Sequence, residues 1–136
     1  MNKQQWSELT EALQDVRDAD RAAAAAKFLH ENAAAEDVPR LMEMLNDEDI
    51  VVREAAAWPL GELAGLAALP QLLAALQRGF DDGHDCDSLQ AVLIEVVEAD
   101  KAAARHILTG LIKSSDKATR ENAQWLWEFC ETPPNA

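Results

Sequence analysis

A chain of 136 residues with 49% hydrophobic and only 5% aromatic side chains, rich in alanine and without tyrosine, can bury one real core and is composed for helices rather than sheets. Its net charge of −13, from 12 Lys and Arg against 25 Asp and Glu, opposes binding to nucleic acid and to anionic membranes and favours encounter with basic partners. Residues 1–8 lack the apolar stretch of an export signal, no window approaches 18 uncharged apolar residues, and the two lone cysteines, Cys86 and Cys130, read as reduced thiols, so a cytoplasmic protein without a membrane span is expected.

In chain order, the first helix is expected over 4–14, where Leu9 and Leu13 form an i, i+4 stripe and Trp6 anchors the N-terminal end. An alanine-rich helix follows over 19–32. The third, over 38–46, has Pro39 in its first turn, where a missing N–H costs nothing, and repeats the stripe with Leu41 and Leu45. The fourth covers 50–64. The fifth, over 68–79, again opens near a proline, Pro70, and carries Leu72 and Leu76. The last three are expected over 87–99, 101–114 and 117–131, with Leu108 and Ile112 on the seventh. Residues 132–136 (Thr-Pro-Pro-Asn-Ala) cannot continue a helix and are expected as a disordered tail on a single domain spanning 1–131.

These helices repeat as pairs. Arg21, Arg53 and Arg120 each precede small residues, with Phe28, Leu60 and Trp127 seven positions on. A third copy fits with Ser88 opposite Arg53, giving spacings of 32, 35 and 32. A lone helical hairpin cannot bury both of its apolar stripes, whereas stacked hairpins share one core.

The run Asp47-x-Asp49-x-x-Val52-Arg53-x-Ala55-Ala56-Ala57-x-x-Leu60-Gly61 resembles the HEAT repeat, in the variant named after phycobilisome lyases. The third copy departs from it, with Ser88 in place of arginine and Leu89 in place of alanine. The resemblance implies an all-α solenoid of about four HEAT-like hairpins wound into a right-handed superhelix. It also implies that Arg21, Asp47, Asp49, Arg53 and Arg120 are structural, as a ladder of turn aspartates and helix arginines. Such proteins are mostly scaffolds that bind other proteins along their second helices, and a few are bilin lyases or DNA glycosylases.

Two departures from the repeat point to a binding surface. At Trp58-Pro59 the pattern has a polar residue and an alanine. Trp58 shares a helical stripe with Glu54 and Glu62, and the 32-35-32 register places it in an apolar ladder with Ala26, Leu93 and Trp125. Exposed tryptophans are typical binding hot spots. The alternative is that Trp58 leans into a neighbouring repeat and Trp125 covers the C-terminal end. Pro59 removes one helix hydrogen bond and predicts a kink near residues 55–58. The second departure is the turn over residues 80–87, which gathers Asp81, Asp82, His84, Asp85, Cys86 and Asp87. It does not fit a calcium loop, and so short a stretch rarely presents a tetrahedral zinc site, so no metal is expected. Instead Asp85 or Asp87 is expected to cap the next helix, and Gly83 to supply the turn. The acidic loop makes a docking edge for a basic partner. His30, His84 and His106 are scattered, and Cys130 is expected to pack with Trp127.

No nucleophile–base pair, phosphate loop or metal motif is recognisable, and no cofactor is expected. The expected function is therefore a non-catalytic interaction module for a basic protein: an adaptor, a regulatory subunit or an immunity (inhibitor) protein. It is expected as a monomer or weak homodimer. The family resemblance supplies the alternative of a bilin lyase or bilin-binding subunit.

Overall fold

A computed structural model describes residues 1–131; the expected tail at 132–136 lies outside them. Among the described residues there are eight α-helices and no strand. The helices are α1 (Lys3–Leu13), α2 (Ala19–Asn32), α3 (Val38–Met44), α4 (Ile50–Ala64), α5 (Leu69–Asp81), α6 (Asp87–Ala99), α7 (Lys101–Leu111) and α8 (Lys117–Trp127), with short 3-10 turns before α3 and α5. They pair into the four expected hairpins, and the fold is all-α.

The helix starts are written in side chains. Asn2, Asp18, Asp49, Asp100 and Asp116 each accept a hydrogen bond from a first-turn N–H of the helix that follows. Such a cap contributes roughly 1 kcal/mol. Pro39 and Pro70 lie in the first turns of α3 and α5, as expected. α4 carries Pro59 buried in its interior and is not broken there.

The chain divides into two compact units at Gly65. In the N-terminal unit the core is formed by Leu9 and Leu13 of α1, Leu29 of α2, Leu41 and Met44 of α3, and Val52, Ala56 and Leu60 of α4. Ala55, Ala56 and Ala57 are all buried, so small side chains let α4 approach its neighbours closely. In the C-terminal unit Leu69, Leu72 and Leu76 of α5 meet a stripe on α6 of Leu89, Val92, Leu93, Val96 and Val97, joined by Leu108, Ala123 and Leu126. Each fully buried Leu or Val contributes roughly 1.5–3 kcal/mol before chain entropy is charged against it.

Residues 55–76 hold a single charge, Glu62, more apolar than the sequence argument allowed. The run from Ile50 to Asp81 contains an 18-residue window with mean hydropathy of at least 1.2, half of it buried within the protein. Gly65 interrupts the run at φ +56°, where only glycine sits easily.

Candidate interaction surface

Burial corrects the repeat register. Leu29 is 0% exposed and Phe28 41%, so Leu29 is the residue equivalent to Leu60. The α6 stripe follows α4 at a spacing of 37: Val52, Ala56 and Leu60 correspond to Leu89, Leu93 and Val97, all buried. The 35-residue alignment on Ser88 was two residues short. Leu93 is consequently a core residue at 0% exposure and is removed from the proposed binding surface. The position that matches Trp58 is Glu95, which is exposed.

A polar motif recurs near the start of the second helices, and the 37-residue spacing adds Gln90 to it opposite Arg53. Arg53, 1% exposed, donates through Nη1 to the carbonyls of Asp47 (2.8 Å) and Glu48 (3.0 Å). Arg120 donates to Ser114 O, also six residues back, at 3.0 Å. In the third hairpin Gln90 takes the place of Arg53 and donates from Nε2 to Asp85 O at 3.0 Å. Arg21 is exposed and reaches the Asp15 carboxylate, again six residues back, at 3.0 Å. That hydrogen bond holds the Asp15 carboxyl below its usual range. These bonds tie each turn to its own second helix. Asp47 accepts from Asp49 N, and Asp49 caps α4 through Val51 N, so both aspartates order the turn.

In the N-terminal unit Trp58 is half-buried on α4, with Glu54 and Glu62 one helical turn to either side. His30, on the adjacent α2, approaches the indole edge-on, with ring centroids 5.7 Å apart at 89°. Its Nε2 lies 2.9 Å from Glu62 Oε1. A surface His–Glu contact contributes little stability, but here it fixes a ring against Trp58. Residues 1–65 hold 6 Lys and Arg against 14 Asp and Glu. The same unit has a broad hollow of ≈ 940 Å³ between α1 and α3. There Arg40 lies 5.6 Å over the Trp6 ring and 3.4 Å from Glu43, so both signs of charge line it.

In the C-terminal unit Trp125 is half-buried and packs edge-on against Phe129 at 5.5 Å. The 80–87 turn is more structured than its composition implies. Gly83 supplies φ +85° as expected, but Cys86 also has φ +60°, an uncommon conformation for a residue with a side chain. Cys86 sits fully buried at the N-cap of α6 without a side-chain cap bond to that helix. Asp85 Oδ1 instead accepts from Asp87 N at 3.3 Å. His84 and Asp85 face solvent. Among the described residues, no three His, Cys, Asp or Glu side chains are placed to share a metal ion. Cys130 is buried, which pushes its thiol up, and Arg105 donates to its carbonyl at 2.7 Å.

A second hollow, of ≈ 510 Å³, lies between α5 and α8, with Asp81 and Asp82 at its edge. Sequence reasoning placed these two aspartates on a docking edge but had no signal for the hollow, which depends on how α8 packs.

The HEAT-repeat family model matches residues 7–84. The chain belongs to the HEAT-repeat family. The match ends within the turn where the register lengthens to 37. No curated protein and no solved structure matches the chain.

Proposed function

We propose that this HEAT-repeat protein is a non-catalytic interaction module that binds a basic protein, as an adaptor, regulatory subunit or immunity (inhibitor) protein in the cytoplasm. One observation carries the proposal: Trp58 is half-buried with part of its ring open to solvent, braced edge-on by His30, and flanked by Glu54 and Glu62 in a strongly acidic segment. A braced aromatic side chain loses little conformational entropy on binding, and tryptophan is enriched at binding hot spots. The surrounding carboxylates would accelerate encounter with a cationic surface and repel nucleic acid and anionic lipid. Within the family we place the chain by sequence pattern in the phycobilisome-lyase variant, with binding rather than bilin chemistry as its role.

The test is affinity capture from an extract of the protein's own cells, at low and at high salt, with wild type and Trp58→Ala. A partner held by the wild type at low salt, weakened by salt and reduced about tenfold or more by Trp58→Ala, supports the proposal. Equal retention by Trp58→Ala removes this face from the function.

A further inference from the structure

α5 ends at Asp81, with Asp82 in the cap position. Two carboxylates therefore stand at the helix end that carries the negative pole of the helix dipole, where cations stabilise and anions do the opposite. Arg78 in the last turn offsets part of this. An arrangement that works against local stability beside a concavity is a sign of function.

The concavity is the ≈ 510 Å³ hollow between α5 and α8. Its apolar surface includes Leu73, which is almost fully buried, and Leu111, which is half-buried. Gln77 of α5 and Asn122 of α8 are hydrogen-bonded to each other at 3.1 Å in its wall. Gln77 also donates to Asp81 Oδ1 at 2.8 Å, which fixes that carboxylate at the rim. Asp116 stands on the other side, and hydrogen bonds from the Thr119 hydroxyl and N–H hold its carboxyl below the usual range. The hollow thus pairs an apolar floor with a rim whose carboxylates outnumber its one arginine.

We infer that this groove docks a short apolar segment of another protein that carries Lys or Arg at its edges. The volume lies in the usual range for a binding pocket, roughly 300–1,000 Å³, enough for a few side chains. Apolar groups would cover Leu73 and Leu111, and cations would meet the carboxylates of Asp81, Asp82 and Asp116. The residues involved are all different from those of the Trp58 face, so either proposal can fail alone.

The probe is a synthetic Leu/Lys helix of about 12 residues, about 18 Å long, with a Leu/Glu helix of the same length as control. Binding to the full chain is followed by NMR. The expected result is saturable shifts of the Gln77 and Asn122 side-chain amides and the Leu73 and Leu111 methyls with the Leu/Lys peptide only. Asp81→Asn/Asp82→Asn should weaken binding at least tenfold while the melting temperature holds or rises. The inference is overturned if these signals do not move, if both peptides move them equally, or if the double variant binds as well as wild type. A fall in the variant's melting temperature would instead make the two aspartates structural and overturn it as well.

Discussion

Arg53 is the side chain on which the second hairpin turns. It is a buried guanidinium serving two main-chain carbonyls, and its removal leaves both without that donor and opens a void. We expect Arg53→Ala to cost about 3 kcal/mol or more, whereas Arg120→Ala, half-exposed and with one such bond, should cost about 1 kcal/mol. Urea denaturation of the two variants checks the ranking, and equal losses would mean burial is not what matters. A structural role for the arginines was implied only by the family resemblance, as a ladder with turn aspartates, whereas Arg53 and Arg120 bond main-chain carbonyls of their own turns. These partners were not legible, because the spacing of six to a carbonyl or carboxylate oxygen is visible only once the turn is built. Gln90 was missed because its amide does the work of a guanidinium without resembling one.

At the scale of the helix, the start points were the most readable feature, because aspartate caps and first-turn prolines act locally, whereas α7 and α8 stop at Leu111 and Trp127, short of the expected 114 and 131. Asp116 at the start of α8 illustrates what such a cap contributes. Its carboxyl is depressed in the folded protein by the Thr119 bonds, so the unfolded chain takes up the proton first as pH falls. The stability this group adds is present above the ordinary carboxylate range and is lost as pH drops through the folded value. Asp116→Asn should therefore lower stability at neutral pH and flatten its decline on acidification, read from denaturation midpoints at successive pH values. For α6 the expected bounds, 87–99, match the helix, and what was misread is its repeat register and its cap. Its cap residue, Cys86, takes a left-handed conformation that glycine or asparagine usually announces, and no residue type signalled it. The apolar stripe of Leu89, Val92, Leu93, Val96 and Val97 held the correct register and outweighs a single aligned serine.

At the scale of the chain, each unit is built on its own core, and Gly65 lies at the boundary in a conformation closed to ordinary side chains. Nothing lies within 4 Å of a Cβ placed there, so Gly65→Ala tests backbone strain alone. A loss of about 1–3 kcal/mol is expected. A charge of −13 on a protein this small also works against compactness, and added salt should raise the melting temperature by screening that repulsion. A melting point indifferent to salt would show that the carboxylates are too dispersed to repel. The number of hairpins and their boundaries were legible because a repeat states the same pattern several times. The concave surfaces were not, since a hollow such as that between α5 and α8 belongs to the packing of distant segments.

The Gln90 bond also gives a way to edit the molecule. Were the chain to be regularised toward an ideal array, the arginine would have to be installed at 90. Ser88, which the primary alignment nominates, faces solvent. Gln90→Arg should be accepted by the turn with melting behaviour preserved or improved, and Ser88→Arg should merely decorate the exterior, so a designer who trusted the letters over the buried stripe would graft onto the wrong side of the helix.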